Sequence, residues 1–553
     1  MEKWIKKAEL YPWIEEGLKI LTEEELHDSF YKNLEFGTAG MRGLLGVGPN
    51  RMNLFTVAKA SLGFGEYLSE KFPNEEKSIA IAYDNRHMSK EFAEISALML
   101  SRFNIKSYIF DNPRPTPELS FTVRELGCVG GIVITASHNP KEYNGFKVYD
   151  ETGCQLVDHK IARVIELIDK VEDLTDIDLN DGDASYLEYI GASIDSIYLD
   201  RVRQLQLNED NKKVLKIIFS SQHGTAYPYV YNLLKESGYD VILVEEQSPY
   251  DPDFSMTKTP NPEDHNSYDL AIEYAKKYDA DLILSVDPDA DRMGIVVKHE
   301  GDYHYLTGNQ GGAILQEYLY STMLEKDLMP PNPVMFNTVV TSDLGDKIAE
   351  NYNVEVEKTL TGFKYIGEKI EGHNQTGDKE FVFGYEESYG YLIKDFVRDK
   401  DAVQACLMVA EASNAYALEN LTLIDVLNQL FDKYGYYYET QDSHAYSGAE
   451  GLDKIKQILH NFRHNKIESI GNQKVLSFDD YLVQRTSSND VIDLPKSNVL
   501  KYYLEDGSWL AVRPSGTEPK CKFYYCVVGS TEKDCVERYE AMKTDVEKIM
   551  NLS

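Results

Sequence analysis

The chain has 553 residues, 42% hydrophobic and 11% aromatic, enough for about three or four packed domains at roughly 150 residues each. Its 57 Lys and Arg face 92 Asp and Glu, a formal charge of −35 that excludes DNA or RNA as general partners. A small anionic substrate remains compatible, provided its site gathers Arg, Lys, backbone N–H groups or a metal of its own.

In chain order, the opening MEKWIKKAELYPWI lacks the apolar core of a signal peptide, and no later run reaches the roughly 18 apolar residues of a membrane span. A cytoplasmic protein with no membrane partner is expected. EFGTAGMRGLLG (35–46) is a Gly-rich loop with one base, Arg42. Residues 77–100, KSIAIAYDNRHMSKEFAEISALML, predict a strand, a polar turn and a helix, and the same arrangement returns at 214–238 and 332–351. Three α/β units with largely parallel sheets, buried on both faces, are expected.

Within the first unit, GCVGGIVI (127–134) predicts a buried strand, after which Ser137, His138 and Asn139 sit on a Pro-terminated turn. Asn144-Gly145 and Lys147 follow. A nucleophilic hydroxyl needs a base or an electrostatic activator within reach, and His138 and Lys147 are candidates. No Gly-x-Ser-x-Gly elbow is present. Lys147, between Phe146 and Val148 on a strand, has the semi-apolar setting that suits acid–base work.

LILSVDPDADRMGIVV (282–297) sends one apolar strand into Asp287, Asp289 and Asp291 and a second strand out. Alternating carboxylates on a tight turn can converge on one hard cation such as Mg²⁺. An EF-hand is excluded, because its sixth position would be Arg292 instead of Gly and its twelfth Lys298 instead of Glu. TLTGFKYIG (359–367) is a weaker Gly/Thr loop with Lys364 as its base. VFGYEESYGYLI (382–393) holds Glu386, Glu387 and Ser388 between apolar flanks, a grouping that suits sugar hydroxyls because one Glu can accept from two of them.

From about residue 435 the pattern changes. VLKYYLEDGSWLAVRP (499–514) predicts a hairpin around Asp506-Gly507, KCKFYYCVV (520–528) a further strand, and the chain closes with a helix after 531. This is an α+β unit with an antiparallel sheet. Its LAVRPSGTEPK (510–520) joins Arg513, Ser515, Gly516 and Thr517 into a phosphate cradle by chemistry, unlike a Walker A or Rossmann loop. The expected units are 1–205, 206–306, 307–425 and 426–553. The six cysteines (128, 154, 406, 521, 526 and 535) show neither metal spacing nor a disulfide framework and read as reduced thiols.

Together and in this order, TASHNP (135–140), DPDADR (287–292), GYEESYG (384–390) and RPSGTEP (513–519) closely resemble the α-D-phosphohexomutase superfamily, over essentially the whole chain. The resemblance implies four domains around one cleft, and it implies roles. Ser137 is then the phosphoryl carrier and, with Asp287, Asp289 and Asp291, a Mg²⁺ ligand. His138 and Lys147 do acid–base work, and Arg42 and Arg292 stabilise the transferring charge. Thr361, Gly362, Glu386, Ser388, Arg398 and Lys400 bind the sugar phosphate, while Arg513, Ser515, Gly516 and Thr517 hold its non-reacting phosphate. The "TGFK", "GYEES" and "RDKDAV" (398–403) segments look most like the phosphoglucomutase/phosphopentomutase branch. The implied reaction moves a phosphoryl group between positions 1 and 6 of glucose through a hexose 1,6-bisphosphate, with mannose or pentose phosphates as the alternative. Nothing in the sequence sets an oligomeric state.

Overall fold

The computed structural model describes residues 1–446, 448–515 and 520–552, with residues 448–450 described by their backbone alone. Four sheets follow one another along the chain. The first has seven strands in the order Phe36–Gly37, Gly40–Leu44, Tyr143–Asp150, Gly130–Ile134, Lys77–Tyr83, Ile105–Phe110 and Leu187–Ile190. The second has five: Asp302–Leu306, Met293–His299, Leu282–Val286, Lys216–Ser220 and Asp240–Leu243. The third has four: Glu355–Thr359, Pro333–Thr338, Glu380–Glu386 and Gly390–Leu392. Each is parallel through its crossover strands and turns antiparallel on one side, where a strand doubles back. Every residue of Gly130–Ile134 and Leu282–Val286 is buried, which is why these strands read as unbroken apolar runs.

The fourth sheet is antiparallel throughout, in the order Tyr436–Ala445, Lys520–Gly529, Trp509–Pro514, Leu500–Leu504, Gln473–Asp480 and Ser469–Ile470. Its expected hairpin closes with Leu504 N–H on the Ser508 carbonyl at 2.9 Å and Gly507 at φ +87°, a conformation that favours glycine. The boundary expected at 425 meets a continuous element. It falls inside the helix Leu423–Tyr434, which Thr422 opens with a capping box through Asp425 and Gly435 ends at φ +95°.

One apolar core, including Phe121, Tyr198, Tyr385 and Trp509, runs through all four units, so they are held as one packed frame. A second core lies on the other face of the first sheet, closed by the N-terminal helices through Trp4 and Ile14. The loops that matter all leave the C-terminal ends of central strands, after Ile134, Val286 and Glu386, which is where open α/β sheets place ligands. Among the described residues no helix is long and apolar enough to cross a membrane.

Candidate active site

The loop after Ile134 returns on an antiparallel strand, which sets Lys147 opposite Val133, just inside the loop. The strands crowd so closely there that a Cβ on Gly145 would lie 2.4 Å from the Thr135 carbonyl oxygen. Ser137 is 4% exposed and takes φ +53°, a left-handed conformation uncommon outside glycine. Its N–H donates to Thr135 Oγ1 at 2.8 Å, and its hydroxyl donates to Asp287 Oδ2 at 2.9 Å. His138 Nδ1 lies 3.2 Å from the same hydroxyl. Burial and the charges of Arg292 and Arg42 push the His138 pKa well down, so its imidazole is neutral at physiological pH.

Arg86, which the sequence reading passed over, gives the loop its shape. Its guanidinium donates to the carbonyls of Ser137 and Asn139 at 2.6 Å, Pro140 at 2.8 Å and Tyr143 at 3.1 Å, with Asp84 3.2 Å away as counter-ion. In the sequence DNRHMS reads as a turn before a helix, and nothing local shows that one side chain serves four carbonyls of a distant loop.

The turn 287–292 is closed by Asp287 Oδ1, which accepts from the N–H groups of Asp291 at 3.1 Å and Arg292 at 2.9 Å. Neighbouring segments brace it. Thr116 donates to Asp289 through its N–H to the carbonyl (2.8 Å) and its hydroxyl to Oδ2 (3.0 Å), and Thr225 N–H donates to the Pro288 carbonyl at 2.8 Å. A Cβ on Gly224 would meet Pro288 Cα at 2.3 Å, so only glycine allows this approach.

All three aspartates are buried and each offers a carboxylate oxygen within 4.8 Å of the others. Lys147 Nζ stands 3.3 Å from Asp289 and 3.8 Å from Asp291, and Lys400 Nζ 2.8 Å from Asp291. Asp289 Oδ1 and Asp291 Oδ1 remain buried with no hydrogen-bond partner. Hard oxygen donors, two of them orphaned, fit a divalent cation. The electrostatics agree. Burial and the charges of Asp291 and Asp289 push Asp287 well above the carboxylate range. At Asp291 the upward push of burial is outweighed by Lys400, Lys147 and Arg292, which hold it below that range.

A cavity of about 670 Å³ opens over these groups. The first unit brings Arg42, Ser137, His138 and Lys147 to it, the second Asp291 and Arg292, the third Thr361, Gly362, Glu386, Ser388 and Lys400, and the fourth Arg513 and Lys522. Six cationic and six acidic side chains line it, a balance the chain's 57 to 92 does not predict. Arg42 donates to Asn139 Oδ1 at 2.8 Å, and Arg292 pairs with Glu263. Gly362, at φ +116°, donates its N–H to Glu386 Oε1 at 2.7 Å. Burial and the neighbouring Glu387 raise the Glu386 pKa to about 7. Arg513 reaches across the cleft to the Thr361 hydroxyl, and Ser515 N–H donates to the Lys520 carbonyl at 2.8 Å. Gly516 and Thr517 lie outside the described residues.

Arg398, expected among the sugar-phosphate ligands, is placed outside the cavity lining. It is 1% exposed, and its guanidinium neutralises Glu371 at 3.1 Å and Asp395 at 3.6 Å. Lys364 is likewise engaged away from the cavity, fastening the third unit to the first through Asp158 at 2.6 Å and the Thr38 carbonyl at 2.9 Å. The sequence reading also missed Lys522. The alternation of Lys520, Lys522 and Tyr524 along a strand was the signal for a shared face.

A seryl hydroxyl beside a carboxylate cation site, with hydroxyl-binding acids and a cationic far wall, defines a protein built for phosphoryl transfer on a sugar phosphate. The phosphoglucomutase/phosphomannomutase family matches along the chain: α/β/α domain I at residues 33–175, domain II at 196–301, domain III at 307–434 and the C-terminal domain at 465–544. The chain is 39% identical over 551 residues to phosphoglucomutase of Staphylococcus aureus strain MRSA252, covering 98% of each. It is 39% identical over 513 residues to phosphoglucomutase of Staphylococcus epidermidis strain ATCC 12228, covering 91% of this chain and 92% of that one. Among solved structures, a putative phosphomannomutase from Thermus thermophilus superposes with TM-score 0.70 at 19% identity, covering 93% of this chain and 99% of the other. Paramecium parafusin, a phosphoglucomutase in an open form, superposes with TM-score 0.67 at 18% identity, over 94% and 95%. The chain belongs to the phosphoglucomutase/phosphomannomutase family.

Proposed function

We propose that the protein is a cytoplasmic phosphoglucomutase, interconverting glucose 1-phosphate and glucose 6-phosphate through phospho-Ser137 and glucose 1,6-bisphosphate. The observation that carries the reading is the Ser137 hydroxyl, 2.9 Å from Asp287 inside the aspartate cluster, at the base of a cleft whose far wall bears Arg513. Glucose is preferred over mannose or a pentose because the curated relatives at 39% identity are phosphoglucomutases.

In the forward half-reaction a sugar hydroxyl oxygen attacks the phosphorus of phospho-Ser137, the Ser137 Oγ–P bond breaks, and the hydroxyl proton passes to His138 or Lys147. The glucose 1,6-bisphosphate turns over in the cleft, Ser137 Oγ attacks its other phosphorus, and the proton returns to the sugar oxygen left behind. Arg42 and Arg292 hold the charge of the group in transit. Asp287, Asp289 and Asp291, with a phospho-Ser137 oxygen, would hold Mg²⁺, which when bound supplies charge neutralisation at that phosphoryl group. Glu386 and Ser388, with Thr361 and Gly362, orient the sugar hydroxyls, and Lys400 contributes charge beside Asp291. Arg513, Ser515, Gly516 and Thr517 take the phosphate that is not reacting. Small sugar phosphates are the only partners this chemistry needs; nucleic acid and membrane are not among them.

The test is incubation with Mg²⁺, a trace of glucose 1,6-bisphosphate and each monophosphate of glucose, mannose and ribose, following isomer and free phosphate. Rapid isomerisation of the glucose esters is expected. Free phosphate without isomer would replace the mutase with a phosphatase, and faster turnover of the mannose or ribose ester would reassign the sugar.

Two further results are expected. As a carboxylate Glu386 accepts sugar hydroxyls on both oxygens, and protonation removes the charge and turns one oxygen into a donor, so with its pKa raised to about 7, sugar-phosphate affinity should fall as pH drops from about 8 to about 6. The part of that fall owed to Glu386 should be absent in Glu386→Gln, whose remaining pH dependence comes from the phosphate itself; calorimetry at several pH values makes the comparison. Arg86→Lys keeps the charge but loses the planar fork that serves four carbonyls. It should lower kcat by about 10- to 100-fold and stability by about 1–3 kcal/mol, read by steady-state rates and thermal unfolding.

A further inference from the structure

We infer that the turn 249–256 of the second unit is a clasp whose Phe254 fixes the Arg86 guanidinium, making Phe254 a positioning residue that sets Ser137 in register with the aspartates. The inference rests on the functional reading above, since phosphoryl transfer is what this register serves. From residue 248 to 259 only Phe254 is buried, in a turn otherwise half-buried or exposed. It is 4% exposed and takes φ +50°, an outlier for a bulky side chain. Such a conformation persists only where the surroundings over-determine it.

The surroundings do so here. The Asp251 carboxylate accepts from the N–H groups of Asp253 and Ser255 at 2.9 Å each, and its carbonyl from Phe254 N–H at 3.1 Å. His223 closes the base of the turn, with Nδ1 donating to the Pro249 carbonyl at 3.0 Å and Nε2 accepting from Met256 N–H at 3.1 Å. Gln247 Nε2 adds a bond to the Met256 carbonyl at 2.8 Å. His223, itself at φ +64°, is followed by Gly224 and Thr225, the two residues that brace Pro288 in the aspartate turn. The clasp and the aspartate turn therefore share one root.

The tip of the clasp reaches the first unit. The Phe254 ring centroid lies 5.0 Å from the Arg86 guanidinium carbon. Asn85 Nδ2 donates to the Asp251 carbonyl at 3.0 Å, and Asp253 stands 3.3 Å from His87 and 3.2 Å from Lys141. The two exposed ion pairs are screened by water and weak, whereas Arg86 is 3% exposed, a setting in which a cation–π contact is strongest. Arg86 serves four carbonyls of the Ser137 loop, Ser137's own among them. A guanidinium released by Phe254 moves those carbonyls together and with them the Ser137 hydroxyl, 2.9 Å from Asp287.

Phe254→Leu keeps an apolar side chain and removes the ring. It should lower kcat about 10- to 100-fold and leave KM for glucose 1-phosphate within about twofold, and Phe254→Tyr should recover most of kcat. A second measurement needs no turnover. Hydrogen exchange read by mass spectrometry should quicken about 10-fold at the amides of 135–145 in the Leu protein and stay near the wild-type rate in the Tyr protein. Thermal unfolding verifies that each variant is folded, and Phe254→Met serves as the second ring-free variant if the Leu protein does not fold. Unchanged kcat in a folded ring-free variant would overturn the inference. So would faster exchange confined to 249–256, which marks local packing alone. Absence of mutase turnover in the wild-type protein would instead overturn the functional reading, and the exchange comparison would still decide the clasp.

Discussion

Ser137→Ala is expected to lose mutase turnover by about 10⁴-fold or more, and to lose incorporation of a phosphoryl group from glucose 1,6-bisphosphate altogether. In the proposed cycle the seryl oxygen carries the group between the two half-reactions. His138 is neutral and 3.2 Å away, yet a phosphorylated imidazole would stand off the aspartate cluster that Ser137 contacts directly. The fold should survive. Alanine gives up the bond to Asp287 and inherits φ +53°, a conformation it tolerates somewhat worse than serine's local bonding allows, at a cost of about 1 kcal/mol. The loop is fixed chiefly by Arg86 through backbone carbonyls that the substitution leaves in place. Intact-mass analysis after exposure to the bisphosphate, together with the coupled rate assay, makes the check. Residual isomerisation, or a phosphoryl group found on another residue, would remove Ser137 from the mechanism.

The second large effect concerns the aspartates. Chelation of divalent cations, or Asp289→Asn, should lower kcat by about 10³-fold or more, with activity returning on Mg²⁺ only in the wild type. Asp287→Asn should separate catalysis from stability. In the folded chain burial and two neighbouring carboxylates raise the Asp287 pKa well above its unfolded value. A carboxyl raised in this way favours the folded state below its unfolded pKa and loses that favour as pH rises through the folded one. At neutral pH and without metal its ionisation is a burden, which asparagine removes. The metal-free variant should therefore melt no lower than metal-free wild type, while only the wild type gains stability on adding Mg²⁺. Melting curves of both proteins with chelator and with Mg²⁺ test this, and a marked loss of stability in the metal-free variant would contradict the repulsion argument.

Local sequence made much of this site visible for one physical reason: strands buried on both faces must be apolar, so polar residues at their C-terminal ends stand out. Ser137, the three aspartates and Glu386 each follow such a run, and the structure brings all of them to one region. The hairpin around Gly507 was legible because a tight turn needs that glycine's conformation. Arg398 was expected at the site from the resemblance alone, and nothing local in RDKDAV distinguishes it from Lys400. Only the packing sends one guanidinium to Glu371 and the next-but-one ammonium to Asp291. The boundary expected at 425 lies inside the helix Leu423–Tyr434, and the change of pattern from about residue 435 coincides with the end of that helix.

The sequence by itself determined the four-unit layout, the strand ends that carry chemistry and the residue types at each, since periodicity, turn glycines and caps act within a few residues. The tertiary structure alone decided what these residues mean to one another. It set Ser137 against Asp287 across 150 positions, gave Arg86 four carbonyls to hold, and put Lys522 opposite Arg513 on the far wall. Charges and hydrogen bonds act over a few ångströms of space without regard to separation along the chain. A cleft built from four units can therefore be recognised in pieces from the sequence, and becomes a site only when the shared core brings the pieces together.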